Sequence, residues 1–172
     1  MANNHTAGTA ARTFAPSELC QRMLAKTSKG TCGPCILYLE DGTIFYGRAC
    51  GAEGTATGEV CFNTSLEGYF EVMTDPSYAG QIVTMTYPQI GNYGIDETDV
   101  QSAFPGDAAR PASAPAMRGM IVRDMCATPS NWRSAVSVPE YLRAHGIVAI
   151  EGVDTRALVR HLRDNGSKMG II

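Results

Sequence analysis

Basic residues are missing from the middle of this 172-residue chain. Residues 49–109 contain no lysine or arginine, although they contain nine aspartate and glutamate residues. Solvated protein surfaces usually carry both signs of charge, so we expect this segment to be buried or to lie against a partner. The formal net charge of the chain is −3, whereas a nucleic-acid-binding protein needs a clustered basic face. We therefore expect no nucleic-acid partner.

Long apolar runs are also absent from the sequence. No segment approaches the roughly 20 consecutive apolar residues that cross a bilayer as a helix, so we expect no membrane partner. The first 20 residues lack the apolar core of a secretory signal peptide. Without an export signal, the six cysteines are expected to be reduced thiols of a cytoplasmic protein.

One cysteine pair, Cys32 and Cys35, has the spacing of a redox motif in the sequence CGPC. A thioredoxin-like dithiol needs its first cysteine at a helix N-terminus, where the helix dipole lowers the thiol pKa. Here the motif runs directly into the strand-like sequence ILYLEDGTIFYG. The second CxxC or histidine pair that a zinc site requires is missing, so we predict no metal site. Thiol oxidoreductase activity through these two cysteines is kept as an alternative function.

The sequence shows no complete catalytic set. A catalytic nucleophile needs a base held beside it, and neither Cys61 nor Ser77 has one close in sequence. His145 and His161 lie near predicted helix C-termini, where a cation complements the helix dipole. From the residues alone we predict a soluble α/β domain with no catalytic or cofactor-binding residue and one cluster of binding loops in residues 59–94.

Turn residues organise the first half of the predicted domain. The strand-like sequences CILYLE and TIFYGRAC flank Asp41-Gly42, which predicts a hairpin with a type I′ turn. One or two helical turns are predicted to end near Asp75-Pro76, because proline cannot continue a helix. Further strands are predicted for residues 58–65, 81–88 and 118–124.

Two capped helices are predicted in the last third of the chain. Ser137 and Glu140 have the spacing of a capping box, which opens a helix that ends at Gly146. After the apolar strand GIVAIEG, Asp154 is predicted to cap a second helix that ends at Gly166. Three apolar residues are expected to share the buried face of this helix: Leu158, Val159 and Leu162.

Early hairpins followed by alternating strands and helices predict an α/β fold with mixed antiparallel and parallel sheets. The chain closes on the sequence MGII, which predicts the start of one more strand. We place the domain at residues 35–172. Residues 1–34 are expected to form a largely disordered N-terminal extension, because they are small, polar and without periodicity.

Several motifs, in the order in which they occur, carry a family resemblance. They are LEDGTIFYGRACGAEGTATGEVCFNTSLEGY, EVMTDPSYAGQIVTMTYPQIGNYG, VRDMCATPSNWRS and GIVAIEGVDTRALVRHLRDNG. Over about residues 36–172 the chain resembles the N-terminal domain of the small (glutaminase) subunit of carbamoyl-phosphate synthetase. This resemblance implies a layered β/β/α swivelling domain.

The resemblance also implies a function. Carbamoyl-phosphate synthetase makes carbamoyl phosphate from glutamine, bicarbonate and two ATP, and ATP and Mg²⁺ bind to its large subunit. The small subunit hydrolyses glutamine with a Cys-His-Glu triad that belongs to a class I amidotransferase domain. That domain is expected downstream and is absent from this chain, so we predict that the fragment alone is inactive. The expected partners are the large subunit and the missing glutaminase domain.

The resemblance implies one ligand contact in this chain. The serine of its DPSY motif, Ser77 here, is implied to contact L-glutamine. The family's N-terminal domain also docks to the large subunit. The resemblance therefore implies that the base-free segment, residues 49–109, faces this partner. Gln89 departs from the family, which often has histidine there. A stand-alone, non-catalytic scaffold is kept as a further alternative, and the resemblance does not separate arginine from pyrimidine biosynthesis.

Overall fold

The computed structural model describes residues 33–96, 113–132 and 134–172. Residues 1–32, with Cys32 of the CGPC motif, therefore lie outside the described residues. The predicted disorder of residues 1–34 concerns these residues, apart from positions 33 and 34. The strands are β1 (Pro34–Leu39), β2 (Ile44–Ala49), β3 (Thr57–Asn63), β4 (Ile82–Met85), β5 (Gln89–Ile90), β6 (Gly119–Ile121), β7 (Asp124–Met125), β8 (Val148–Glu151) and β9 (Lys168–Ile171), and the helices are α1 (Tyr69–Thr74), α2 (Val138–Ala144) and α3 (Thr155–Asn165).

Seven of the strands close a barrel in the order β1-β2-β8-β6-β4-β3-β9, while β5 and β7 form a separate two-stranded sheet. The pairs β3–β4, β4–β6 and β6–β8 are parallel. The pairs β2–β8, β1–β2, β1–β9 and β3–β9 are antiparallel. The prediction of an α/β fold with mixed sheets is thus confirmed. The layered β/β/α description stays a prediction.

The hairpin between β1 and β2 is confirmed, but its predicted type I′ turn is wrong. Leu39 N donates to Thr43 O, and Leu39 O accepts from Gly42 N, both at 2.9 Å, so the loop has three residues. Among its residues Gly42 has a positive φ, 89°, and Asp41 does not, whereas a type I′ turn needs positive φ at both central positions. Instead, Asp41 accepts a side-chain hydrogen bond from Thr43 N at 3.0 Å, which stabilises the longer loop.

The three strands predicted at residues 58–65, 81–88 and 118–124 all form, but each stops before its predicted end. The strands expected at 58–65 and 118–124 are present as β3 and β6. The strand expected at 81–88 ends at Met85, which pairs with Asn63 at the end of β3. Beyond this pair β4 has no parallel neighbour to continue the ladder, so its strand geometry stops there. The short helix before Asp75 is confirmed as α1.

Side chains that alternate along the barrel strands belong to two different apolar clusters. The inner cluster lies within the barrel and is aliphatic, and the outer cluster lies between the parallel strands and the helices α1 and α2. On β4, for example, Ile82 belongs to the inner cluster while Val83 and Met85 belong to the outer one. Within residues 49–96, the base-free segment supplies buried core residues from its strands and α1, while many of its loop residues are exposed.

Helices α2 and α3 begin and end where their capping residues predict. Ser137 and Glu140 form the complete capping box of α2. The Asp154 carboxylate accepts from Ala157 N at 3.0 Å at the start of α3. Leu158 and Leu162 are buried as predicted, but Val159 is only partly buried, because it faces a cleft described below. None of the helices in the described residues has both the length and the apolar composition to cross a membrane.

Candidate functional site

Ser77, the residue predicted to contact glutamine, lies in a single 3-10 turn, Pro76–Tyr78, directly after α1. Pro76 lacks a backbone N–H and restricts the preceding residue to extended conformations, so α1 ends at Asp75 with ψ of 118°. The Asp75 carboxylate then accepts a hydrogen bond from Ser77 N at 2.8 Å. The turn therefore holds Ser77 at the surface, where its side chain is exposed.

An open cleft of about 290 Å³ lies beside this turn. Ser77 is not among the residues that line it, but its sequence neighbours Asp75 and Tyr78 are. Three lining side chains are carboxylates and none is a lysine, arginine or histidine. Such a surface favours a ligand that presents N–H donors, such as an ammonium or a primary amide. The cleft is lined by Asn63, Ser65, Glu67, Gly68, Glu71, Val72, Asp75 and Tyr78.

The FNTS and DPSY motifs meet at this cleft through the side chain of Asn63. Asn63 Nδ2 donates to the Tyr78 hydroxyl at 2.9 Å. Asn63 Oδ1 accepts from Ser65 N at 2.7 Å, which closes a local turn. Both ends of the amide are thus engaged, and the two loops are joined into one unit. Both loops fall in the predicted binding-loop cluster of residues 59–94, but this contact between them was not predicted.

The hydroxyl of Tyr93, in the sequence IGNYG, caps the N-terminus of α1. It accepts hydrogen bonds from Gly68 N at 2.8 Å and from Tyr69 N at 3.3 Å. These are two of the N–H groups that a helix leaves without an internal partner. Since no side chain caps α1 locally, a distant tyrosine supplies the missing acceptor.

The rings of Tyr69 and Tyr93 stack with their centroids 4.2 Å apart. The Tyr69 hydroxyl also donates to Gly94 O at 2.6 Å. Burial raises the pKa of both tyrosines above the usual value. Both hydroxyls therefore stay protonated at neutral pH, and the loop and the helix are held together by neutral groups.

Gly94 lies against Ser134 and Pro129, on either side of the SNW segment of residues 130–132. Gly94 has φ of 70°, and a Cβ built on it would lie 1.9 Å from Ser134 Oγ, so this position requires glycine. Asn131 Nδ2 donates to Tyr93 O at 3.2 Å. The next residue, Trp132, is 92% exposed although its neighbour is anchored.

The cysteines and histidines do not form a catalytic set in the described residues. Burial, and then the nearby Glu59 carboxylate, raise the pKa of the Cys61 thiol to about 11, which disfavours a nucleophilic thiolate. His145 lies at the C-terminus of α2 as predicted and its ring packs against Tyr141. His161 bonds to Asp41 at 2.7 Å. None of these side chains lines the cleft beside Ser77.

The thiol oxidoreductase alternative gains no support from Cys35. This residue lies in strand β1, and burial raises its thiol pKa. A redox-active cysteine pair needs a lowered pKa instead. Within the described ranges, no group of three or more His, Cys, Asp or Glu residues could hold a metal ion.

A second cleft, of about 550 Å³, has the opposite charge. It lies where β3 and β4 end, beside α3, and Val159 contributes to its wall. Three arginines of α3 line it and no carboxylate does. The two clefts therefore suit different chemical groups, and the acidic one is adjacent to Ser77. The basic cleft is lined by Thr64, Thr86, Thr155, Arg156, Val159, Arg160 and Arg163.

A family model described as carbamoyl-phosphate synthase small chain, CPSase domain, matches residues 37–172. The chain belongs to this family. The matched region begins in the middle of β1 and includes all later barrel strands, α1 and both clefts. The recognition made from the sequence motifs is thus confirmed. The proposed domain start at residue 35 stays a prediction.

Curated relatives agree with the family match. The chain is 56% identical over 137 residues to the carbamoyl phosphate synthase small chain of Syntrophotalea carbinolica, covering 80% of this chain and 34% of that protein. It is 53% identical over 139 residues to the small chain of Xanthomonas axonopodis pv. citri, covering 81% and 33%. The corresponding protein of Thermotoga maritima is 52% identical over 137 residues, covering 80% and 32%. The chain thus spans about a third of the length of these relatives.

Proposed function

We propose that this chain is the N-terminal part of the glutaminase subunit of a glutamine-hydrolysing carbamoyl-phosphate synthetase. In this reaction water breaks the C–N bond of the glutamine side-chain amide, which yields glutamate and ammonia. The ammonia then reacts with bicarbonate and two ATP on the large subunit to give carbamoyl phosphate. The family match over residues 37–172 carries this proposal.

The chain supports the glutamine site and leaves the chemistry to other domains. The thiol of Cys61 contacts the Gln81 amide and not a base, and its pKa is raised. The Cys-His-Glu triad is assigned to an amidotransferase domain, and ATP and Mg²⁺ to the large subunit. We expect this chain alone to hydrolyse no glutamine. Its expected location is the cytoplasm, in a complex of one small and one large subunit.

Ser77 is the proposed glutamine contact. Its hydroxyl is exposed, while its backbone N–H is engaged by Asp75 at 2.8 Å. A hydroxyl of this kind can donate to a carboxylate or carbonyl oxygen and accept from an N–H group. The adjacent acidic cleft adds acceptors for the ammonium of an amino acid. Glutamine would then be held between this turn and the amidotransferase domain.

Ser77→Ala in the small subunit that includes the amidotransferase domain tests this role. Removing one hydrogen bond to a bound substrate costs about 0.5–1.5 kcal/mol, or about 2- to 12-fold in affinity. We expect the glutamine KM to rise by this factor in steady-state assays of carbamoyl phosphate formation. With ammonium supplied in place of glutamine, the rate is expected to be unchanged, because the site is bypassed.

Ser167→Ala is a matched control, since Ser167 is also exposed and does not line the cleft. We expect it to leave the glutamine KM unchanged. If Ser77→Ala changed the melting temperature but not the glutamine KM, the serine would only shape its turn. Glutaminase activity from the present 172-residue chain would contradict the assignment of catalysis to another domain.

A further inference from the structure

The basic cleft beside α3 contains a row of three arginines that the proposed function does not use. Arg156, Arg160 and Arg163 follow one another at intervals of four and three residues, so they share one side of α3. At a rise of about 1.5 Å per residue, the row extends over about 10 Å along the helix axis. All three residues are exposed and line the same open volume of about 550 Å³.

The positive charge of this row is poorly balanced within the protein. Arg156 and Arg160 form no ion pair with any residue that the structure describes. Arg163 Nε contacts the carboxylate of Asp164 at 3.3 Å, but both side chains are more than half exposed, and such surface pairs contribute little. Like charges three or four positions apart on a helix repel each other. The row therefore destabilises the free chain slightly, and a bound anion would relieve the repulsion.

Threonine hydroxyls from three elements surround the same volume. Thr64 follows β3, Thr86 follows β4, and Thr155 is the first residue of α3. A hydroxyl, like a guanidinium group, can donate a hydrogen bond to an oxygen atom. Apart from Val159, every side chain that lines the cleft carries such a donor, and none is a carboxylate. The lining therefore suits a negatively charged ligand with several oxygen acceptors.

A buried hydroxyl without a partner lies next to this cleft. Thr84 of β4 is 0% exposed, and its Oγ1 is the one buried side-chain polar atom among the described residues that has no hydrogen-bond partner. Because side chains alternate along a strand, Thr84 lies on the same side of β4 as Thr86 of the cleft. Buried polar groups are nearly always hydrogen-bonded in folded proteins. A ligand oxygen in the cleft, or a water molecule held by it, would supply the missing partner.

The number of donors indicates which anion fits. A carboxylate has one charge and two oxygens, which a single arginine fork satisfies. A phosphate group has up to two charges and three free oxygens, and a diphosphate distributes more charge along the arginine row. We propose that the basic cleft is a binding site for a small phosphate-bearing anion of the diphosphate class. The proposal is independent of the proposed function, because it concerns anion binding by this chain and not glutamine hydrolysis.

Titration calorimetry of the 172-residue chain with inorganic pyrophosphate tests this site. In phosphate-free buffer of low ionic strength we expect saturable binding with Kd below about 1 mM. Arg160→Gln removes the central charge of the row and keeps a good helix former. We expect it to weaken binding by about 10-fold or more, because hydrogen bonds to a charged group are lost. Arg160→Lys keeps the charge but not the planar fork, so its Kd is expected to lie between the two.

Arg143→Gln is the matched control, since Arg143 is an exposed arginine on helix α2 and does not line the cleft. It is expected to leave the Kd for pyrophosphate within about 2-fold of the wild type. Circular dichroism checks that each variant is folded, and Arg156→Gln replaces Arg160→Gln if the latter does not fold. The site is wrong if pyrophosphate does not bind at up to about 5 mM, or if the cleft variant and the control weaken binding equally.

Two further ligands separate the possible sources of the phosphate group. ADP carries the same diphosphate on an organic body, so tighter binding of ADP than of pyrophosphate would assign the site to a nucleotide. Equal or weaker binding of ADP would assign it to the free anion. Citrate, a carboxylate of similar charge, is expected to bind more weakly than pyrophosphate. Citrate that binds equally well and is weakened equally by Arg160→Gln would overturn the assignment to phosphate chemistry. None of these outcomes affects the proposed function, which the glutamine kinetics of Ser77→Ala test separately.

Discussion

The parallel and antiparallel halves of the barrel differ in what covers them. The outer side of the parallel strands β3, β4, β6 and β8 is packed by α1 and α2 in the outer cluster, which is rich in methionine and aromatic residues. The outer side of β9, β1 and β2 carries six exposed apolar side chains, which we call the outer apolar face: Ile36, Tyr38, Ile44, Tyr46, Met169 and Ile171. Both halves share one aliphatic inner cluster.

The difference follows from how the strands are connected. Parallel neighbours need a crossover connection, and crossovers usually carry a helix that packs on the sheet. The β3–β4 connection contains α1, and the β6–β8 connection contains α2. The antiparallel β1–β2 pair is joined by a three-residue loop that supplies no covering element. The apolar outer side of the antiparallel half is therefore left exposed in this chain, whereas that of the parallel half belongs to the core.

The largest expected effect compares adjacent residues of β1. Leu37 is fully buried and Ile36 is 47% exposed. We expect Leu37→Ala to lower the free energy of unfolding by about 2–5 kcal/mol, because it leaves a cavity. Ile36→Ala is expected to lower it by less than about 1 kcal/mol in the isolated chain. Urea denaturation measures both, and similar values would show that the outer apolar face is part of the core.

A smaller effect is expected on the helix-covered half, at Gly94. Gly94→Ala meets Ser134 Oγ at 1.9 Å and places a Cβ at φ of 70°. We expect a loss of about 2–3 kcal/mol in the free energy of unfolding, from overpacking and the left-handed backbone. Adding Ser134→Gly should recover the overpacking part, with the Ser134→Gly single variant as control. A double variant no more stable than Gly94→Ala would contradict this reading of the loop.

The smallest effect concerns the contact between α3 and the hairpin of the antiparallel half. Hydrogen bonds from Thr43, and then from His161, lower the pKa of Asp41 to about 2. The unfolded value is about 3.9, so the contact stabilises the fold above about pH 4 and this contribution is lost as the pH falls towards 2. Asp41→Asn should therefore reduce the change in melting temperature over this range. Asp164→Asn, at an exposed aspartate on α3, should leave it unchanged.

Local elements were predictable because their interactions span a few residues. The capping box of Ser137 and Glu140 joins positions three apart, and the Asp154 cap acts on Ala157. The family resemblance was also predictable, since its motifs are contiguous. The type I′ turn was wrong, because the loop length depends on the register of β1 against β2, and Asp-Gly is compatible with two- and three-residue loops. The longer strand predicted after Met85 failed for a similar reason, since the end of β3 limits its pairing.

The sequence predicted which loops form the candidate site, but not how their side chains are arranged. A cluster of binding loops was predicted in residues 59–94, and the resemblance pointed to Ser77 of the DPSY motif within it. The Asn63–Tyr78 bond and the Tyr93 cap of α1 join residues 15 and 25 positions apart. Hydrogen bonds of this kind leave no periodic signal in the sequence. A helix without a local capping residue, such as α1, was the one indication that an acceptor had to come from elsewhere.

The sequence by itself determined the approximate positions of the barrel strands, the helix caps, the end of α1 near Asp75-Pro76 and the family, because each depends on neighbouring residues or contiguous motifs. The tertiary structure decided the rest. Strand β9 pairs with both β1 and β3 and closes the barrel, which joins residues more than a hundred positions apart. That closure turns alternate residues of β1, β2 and β9 into one exposed face. The apolar residues of one strand do not tell which of them will be covered, so only the folded register shows which remain exposed.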